Sequence, residues 1–244
     1  MSTSLLESPS DLASIDAVLA RWSQDRGGRE QHWPVLMEES TLRRAGYPDA
    51  FPHLLMTACV AADPESSSGV LSPTGWCLSP AVCYHAYAAL EGSIIHGGLR
   101  LAARGHCFRN EAEEELMPGR RQIEFQMREL VLIGEKEWIE QELADVQTEI
   151  SGLAAELGMT GSWEIASDPF FLPRAKGKAQ MQRLMETKRE YCLADGLAIA
   201  SINRHGPFFG ERFHLSLSNG QAAHSACIAF GLDRWATHAN PCES

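Results

Sequence analysis

Basic residues are scarce in this sequence, and long apolar runs are absent from it. Its 244 residues include 21 lysines and arginines against 32 aspartates and glutamates, for a formal net charge of −11 at pH 7. Such a charge repels phosphate backbones and disfavours an extended surface for nucleic acids. No stretch approaches the roughly 18 apolar residues of a membrane-spanning helix, and no basic and apolar leader opens the chain. We therefore expect a cytoplasmic protein that does not cross a membrane.

The cysteines lack the regular spacing of a disulfide framework. There are seven of them, an odd number, spread over the whole chain. In a protein that is not secreted, such cysteines indicate free thiols or metal ligands. The composition is otherwise that of a globular protein, with 44% hydrophobic residues, and the length allows a core that folds without cross-links.

Apolar periodicity predicts a single α+β domain over residues 1–244, built on an antiparallel sheet. A strand pair at 104–111 and 122–133, joined by a charged loop, is its central feature. The other predicted elements are helices at 12–26, 80–90, 136–157 and 178–193 and from 232 onward, short strands and turns at 33–60, and strands at 213–218 and 225–230.

Charged side chains interleave with apolar ones along the predicted strand pair. An arginine offers a planar, bidentate partner for phosphate, a carboxylate can accept a hydrogen bond from an exocyclic amine, and an aromatic face can stack on a base. Each such residue alone would be a surface or core residue. Together they could form a nucleotide site, and the candidates are Arg109, Glu111, Arg121 and Phe125.

Three segments match known motifs. The segment 108–111 (FRNE), followed by Arg121 and Phe125, resembles motif 2 of the class II aminoacyl-tRNA synthetases. The segment 229–234 (AFGLDR) resembles motif 3, with alanine in place of the usual first glycine. The region 33–52 is similar to motif 1, which forms the dimer interface in that class.

Within that class, the chain resembles the amino acid:[carrier protein] ligases, relatives of the atypical seryl-tRNA synthetases of methanogens. The phrases that carry the resemblance are GYPDAFPHLL, LSPAVCY, MRELVLIG, ASDPFF and AHSACIAFGLDR. The resemblance implies a class II synthetase-like antiparallel sheet flanked by helices, and a homodimer. It also implies activation of a small amino acid, glycine or alanine, with ATP and Mg²⁺, followed by transfer to the phosphopantetheine thiol of a carrier protein.

The resemblance also implies a role for each residue expected to bind the nucleotide. Arg109 would hold the α-phosphate of ATP, Glu111 the adenine amine and Phe125 the adenine face. Arg121 and Arg234 would hold the β- and γ-phosphates. Adenylation depends on positioning and on the neutralisation of charge, so no general base is required.

A zinc site is implied as well. The relatives hold a catalytic zinc through two cysteines and a glutamate, and the matching residues are Cys83, Glu129 and Cys227. Zn²⁺ accepts such ligands, and three of them leave a fourth position for a substrate amino group. Cys107 is a rival candidate because it shares a strand face with the nucleotide residues. His224 is expected to be a neighbour of the site rather than a ligand.

Two other functions stay open at this stage. Aminoacylation of tRNA by a truncated seryl-type synthetase is disfavoured by the net charge and by the lack of a recognisable tRNA-binding domain. A non-catalytic paralogue that binds an amino acid or adenylate is disfavoured by the retained nucleotide residues, whereas the alanine in motif 3 and the short N-terminal region favour it.

A basic run in this acidic chain predicts where a carrier protein docks. Its members are Arg174, Lys176, Lys178, Arg183, Lys188 and Arg189. Charged runs are usually solvated helix faces, but complementary potential would also steer an acidic carrier and its phosphate to this segment. Charge reversal at Arg183 and Lys188 is expected to raise KM for the carrier and to leave amino-acid-dependent pyrophosphate exchange unchanged. An equal loss of both activities would contradict docking there.

Overall fold

A seven-stranded sheet forms the centre of the computed structural model, which describes residues 12–63, 69–166 and 185–239. The strands are β1 (Arg29–His32), β2 (Leu36–Glu38), β3 (Thr57–Ala61), β4 (Leu71–Leu78), β5 (Ile94–Ile95), β6 (Leu99–Phe108), β7 (Glu124–Gly134), β8 (Gly161–Ile165), β9 (Lys188–Leu193), β10 (Ala198–Gly206), β11 (Ser216–Leu217) and β12 (His224–Gly231). The helices are α1 (Leu12–Asp25), α2 (Glu39–Arg44), α3 (Tyr47–Ala50), α4 (Cys83–Ala89), α5 (Lys136–Leu143), α6 (Val146–Glu156), α7 (Phe208–Arg212) and α8 (Leu232–His238).

The strand order of the large sheet is β1-β6-β7-β12-β10-β9-β8. Every pairing in it is antiparallel except that of β1, which joins β6 in parallel. The predicted strand pair is therefore confirmed as β6 and β7, and the sheet is mixed rather than purely antiparallel. A smaller sheet has the order β2-β4-β3, and β5 pairs with β11.

The large sheet is buried on both faces because helices cover each of them. On one face α1, α5, α6 and α8 share an apolar cluster with Leu130 and Leu132 of β7. On the other face α4 and α7 share a second cluster with Val131 and Ile133 of the same strand. Successive side chains of a strand point to opposite faces, so Glu129 shares the α4 side with Val131.

Several predicted elements differ from the structure. The helix expected at 136–157 is divided into α5 and α6 around Asp145, a residue type that favours turns and caps over helix interiors. The part of the helix expected at 178–193 that lies within the described residues is strand β9, because its backbone pairs with β8 and β10; residues 178–184 lie outside them. The region 33–60 contains α2 and α3 in addition to strands. Strands β1, β4, β5, β8 and β10 were not predicted.

The predicted helices near the ends of the described chain agree with α1 and α8, and the helix expected at 80–90 is the shorter α4. The strand expected at 213–218 is reduced to β11, since α7 and the turn after it occupy the preceding residues. None of the helices in the described ranges is both long and apolar enough to cross a membrane.

Candidate active site

Two open clefts meet above strands β7, β12 and β10. The first encloses about 720 Å³ and the second about 740 Å³ of space, open solvent included. All five residues predicted to bind the nucleotide line the first cleft: Arg109, Glu111, Arg121, Phe125 and Arg234. The three predicted metal ligands line the second: Cys83, Glu129 and Cys227. The structure therefore separates the two predicted sets into adjoining spaces.

The hairpin of β6 and β7 positions Arg109 and Phe125, two of the residues predicted to bind the nucleotide, at the first cleft. Arg109 follows β6 directly, and its backbone N–H donates to the Ile123 carbonyl at 2.9 Å. Its guanidinium lies 4.9 Å from the centre of the Phe125 ring and donates to the Pro80 carbonyl at 3.2 and 3.3 Å. These contacts hold a cation against an aromatic face at the floor of the cleft.

Arg234 reaches the same cleft from α8. The carboxylate of the buried Asp233 accepts a hydrogen bond from the Gln126 backbone N–H at 2.5 Å, which ties the start of α8 to β7. The guanidinium of Arg234 then donates to the carbonyls of Arg120 at 2.9 Å and Ala198 at 2.7 Å. Burial and the nearby charge of Arg109 lower the pKa of Arg234. Protein carbonyls thus hold this cation in place.

Arg121 and Glu111 form the outer part of the cleft. Arg121 pairs with the carboxylates of Glu111 at 3.0 Å and Glu115 at 2.6 Å. Three guanidinium groups, of Arg109, Arg121 and Arg234, therefore lie around one open space. A polyphosphate is the kind of ligand that such a cluster neutralises.

The three predicted metal ligands converge although they are far apart in the sequence. Cys83 begins α4, Glu129 lies in β7 and Cys227 lies in β12. One ligand atom from each lies within 4.8 Å of the others, and all three side chains are buried. Because β7 and β12 are neighbours in the sheet, with Cys227 opposite Val131, the glutamate and the second cysteine are brought together by strand pairing.

The electrostatics of these three residues suit a cation. One carboxylate oxygen of Glu129 accepts from the Val82 N–H at 3.0 Å, and the other is buried without a hydrogen-bond partner. Burial raises the pKa of Glu129 to about 8. A hydrogen bond from Cys83 lowers the pKa of the Cys227 thiol, and the same bond, together with burial, raises the pKa of Cys83. A divalent ion would satisfy the free oxygen and both sulfurs, and this donor set fits Zn²⁺.

The rival cysteine does not join this group. Cys107 is fully buried in an apolar cluster with Val82 and Ala103, and burial raises its pKa. His224, at the start of β12, is also outside the group of three among the described residues.

Sequence reasoning missed two polar neighbours of the metal ligands. His205 Nε2 lies 3.9 Å from Cys227 Sγ, and Asn203 Nδ2 lies 3.5 Å from the same sulfur. Both belong to β10, which the sequence analysis did not predict. The alternation of Ser201, Asn203 and His205 at the strand period was the available signal, since all three line the second cleft.

The two clefts share part of their walls. The common residues are Arg109, Met127, Lys188, Ser201 and Ala229. The ammonium group of Lys188 pairs with Glu190 at 3.0 Å, and its side chain is only 13% exposed. Lys188 therefore belongs to the site rather than to an exposed docking surface. The more N-terminal members of the basic run, from Arg174 to Arg183, lie outside the described residues.

Comparison with known proteins gives a consistent result, although no family model matches the chain. The chain is 32% identical to amino acid--[acyl-carrier-protein] ligase 1 of Bradyrhizobium diazoefficiens, over 90% of its own length and 73% of the relative's. It is 30% identical to ligase 2 of the same organism, over 91% and 72%. It is 27% identical to the type-2 serine--tRNA ligase of Methanocaldococcus jannaschii, over 70% of its own length and 35% of the relative's.

Solved structures show the same fold. The seryl-tRNA synthetase of M. kandleri, solved with tRNASec of A. aeolicus, superimposes with a TM-score of 0.75 at 21% identity, covering 92% of this chain and 51% of that one. The cytoplasmic serine-tRNA ligase of Naegleria fowleri, solved with AMP, gives 0.66 at 13% identity, covering 93% and 48%. The chain thus spans about half the length of these synthetases and has the class II synthetase fold that its motifs predict.

Metal content gives a direct test of the site. We expect the purified protein to carry one Zn²⁺ per chain, measured by elemental mass spectrometry after gel filtration. Replacing Cys227 by alanine should abolish stoichiometric zinc, because two ligands alone bind the ion weakly. The Cys107→Ala variant is the matched control and should retain it. Full zinc in Cys227→Ala, or its loss in Cys107→Ala alone, would contradict the assignment.

Proposed function

Because this chain belongs to the family of amino acid--[acyl-carrier-protein] ligases, we propose that it activates an amino acid with ATP and transfers it to a carrier protein. The observation that carries the proposal is the junction of the two clefts at Arg109, where a set of metal ligands adjoins an arginine-lined space. Free cysteines throughout the described residues agree with a cytoplasmic setting.

The amino acid would bind in the second cleft. Zn²⁺ held by Cys83, Glu129 and Cys227 would supply a Lewis-acid position for the substrate amino group. The carboxylate of the same molecule would then point toward the shared wall. Aromatic side chains of Tyr47, Phe51 and Tyr84 line this cleft, and we propose that they favour a small substrate, glycine or alanine.

ATP would bind in the first cleft. We assign Phe125 and Glu111 to the adenine, Arg109 to the α-phosphate, and Arg121 and Arg234 to the β- and γ-phosphates. Mg²⁺ would enter with the nucleotide, since this ion binds mainly to substrate phosphates and retains several waters. Glu190 is a carboxylate on the wall of the same cleft.

The reaction needs two nucleophilic displacement steps. A carboxylate oxygen of the amino acid bonds to the α-phosphorus as the bond to pyrophosphate breaks. The phosphopantetheine thiol then loses its proton and bonds to the carbonyl carbon, and AMP leaves. Arg109 lines both clefts, so its charge would stabilise the first transition state if the carboxylate and the α-phosphate meet at their shared wall.

A second candidate function is aminoacylation of tRNA, which the similarity to serine--tRNA ligases favours. The net charge of −11 disfavours it, because phosphate contacts supply most of the affinity of proteins for nucleic acids.

Pyrophosphate exchange with a panel of amino acids tests the activation step. We expect exchange with glycine or alanine, and a loss of about 10²–10³-fold in kcat for Arg109→Ala, because one transition-state partner is removed. Arg21→Ala is the matched control, since Arg21 is 76% exposed on α1 and pairs with Asp25. Labelled amino acid offered to holo-carrier, apo-carrier or bulk tRNA then identifies the acceptor. Labelling of tRNA alone would favour the second candidate, and no exchange with any amino acid would indicate a binding protein without activity.

We also propose that the protein is a homodimer, with the small sheet of β2, β4 and β3 at the interface. Large apolar side chains are exposed on and beside this sheet, including Leu71 at 64%, Val60 at 55% and Trp76 at 43%. A concentration of exposed apolar residues often marks an interaction surface. The sheet adjoins the region that resembles motif 1.

Sedimentation measurements should therefore give a dimer. The double change Leu71→Asp and Trp76→Asp is expected to yield a folded monomer, because it places charges at the centre of the interface. Val18→Asp, at an exposed site on α1, should leave the dimer intact. A monomeric wild-type protein would rule out the interface.

A further inference from the structure

A line of three side chains leads from the apolar core to the proposed metal site. The hydroxyl of Tyr87 lies 3.1 Å from His205 Nδ1, and His205 Nε2 lies 3.9 Å from Cys227 Sγ. The Ser225 hydroxyl lies 3.5 Å from the same Nδ1 atom. None of these links takes part in the activation chemistry described above, although the line ends on a predicted metal ligand.

Packing fixes the imidazole in this position. Tyr87 is fully buried in α4, and its ring stacks on Phe209 with 4.2 Å between centroids. The His205 ring meets Phe209 edge-on at 4.8 Å and Tyr87 edge-on at 6.1 Å. Two aromatic neighbours therefore restrict rotation of the imidazole, so its two nitrogens face defined partners.

The partners determine which nitrogen carries the proton. A tyrosine hydroxyl can donate a hydrogen bond, and the buried hydroxyl of Tyr87 lies within hydrogen-bond distance of His205 Nδ1. A metal-bound cysteine is a thiolate, which can only accept hydrogen bonds. Both contacts are satisfied when Nδ1 accepts from Tyr87 and the protonated Nε2 donates to the sulfur.

A second donor reaches the same sulfur from the same strand. Asn203 Nδ2 lies 3.5 Å from Cys227 Sγ and 3.1 Å from the Ser201 hydroxyl. Asn203 pairs with Cys227 across β10 and β12, so the strand register holds this donor opposite the sulfur. Cys227 thus has two N–H groups directed at it by β10.

We propose that His205 and Asn203 are positioning residues for a bound Zn²⁺ ion: both orient the Cys227 sulfur as a ligand, and Tyr87 sets the tautomer of His205. This inference rests on the proposed metal site. Removing a group that orients a metal ligand commonly lowers metal affinity by about 10–100-fold. The donors should act on the metal even when ATP and amino acid are absent.

Zinc affinity, measured by competition with a chromogenic chelator, tests the proposal without catalysis. His205→Leu removes the donor and should weaken zinc binding by about 10–100-fold. His205→Gln places an amide N–H near the position of Nε2 and should restore most of the affinity. His96→Gln is the matched control, because His96 lies at the surface with its Nδ1 3.0 Å from the Ser218 hydroxyl.

Cobalt substitution gives a readout that a purely structural role would not change. Loss of an N–H donor raises the energy of the sulfur lone pair, so the thiolate-to-Co²⁺ charge-transfer band should move to longer wavelength in His205→Leu and Asn203→Ala. Tyr87→Phe keeps the stacked ring and frees Nδ1, and it should produce a smaller shift in the same direction. This variant carries the test if His205→Leu fails to fold.

The outcomes separate this inference from the function on which it rests. Wild-type protein that binds no zinc would remove the metal site itself. Wild-type protein that binds zinc, with unchanged affinity and an unchanged cobalt band in His205→Leu, or in Tyr87→Phe if the former is unfolded, would overturn the positioning role and leave the metal site in place.

Discussion

The buried carboxylate of Glu129 is the constraint around which the site is organised. Taking a charged carboxylate out of water is costly unless hydrogen bonds or a cation compensate, and the backbone N–H of Val82 supplies partial compensation. The other oxygen faces two thiols and has no hydrogen-bond partner. A sheet that otherwise packs like an apolar core therefore contains a place where a divalent ion would lower the free energy of the folded chain.

The same sheet serves two purposes because successive side chains of each strand point to opposite faces. On β7, Leu130 and Leu132 pack under α1 and α8, whereas Glu129 points to the side of α4. The α4 side is apolar toward α7 and polar toward the clefts. A rigid apolar core on one face thus keeps the site residues on the other face in position. Such preorganisation lowers the free-energy cost of orienting them.

The first cleft is organised around positive charge, whereas the second is organised around the buried carboxylate. Carbonyl oxygens hold Arg109 and Arg234 in position, and the two cations repel each other. A polyanion between them would relieve that repulsion. The two clefts therefore differ in charge: guanidinium groups gather in the first, a buried carboxylate and two thiols line the second, and the clefts adjoin at Arg109.

Local patterns in the sequence were sufficient for the elements with clear periodicity and for the residue types of the site. The strand pair β6 and β7 was predicted from alternation alone, and α1 and α8 from helical spacing. The motif resemblance named the residues expected to bind the nucleotide and those expected to bind the metal. Both sets converge as expected, although the roles of the individual residues stay predictions.

Other features were decided by tertiary contacts. The segment Lys188–Leu193 has a composition that suits a helix, yet it is a strand because β8 and β10 offer it backbone partners on both sides. The parallel addition of β1 to the sheet has no local signal. The place of His205 beside Cys227 depends on the register of β10 with β12, a pairing between residues distant in the chain. By itself, the sequence determined which chemical groups were available and the periods at which they occur. Only the folded sheet decided which of them meet, because distances across strands depend on pairing and not on spacing along the chain.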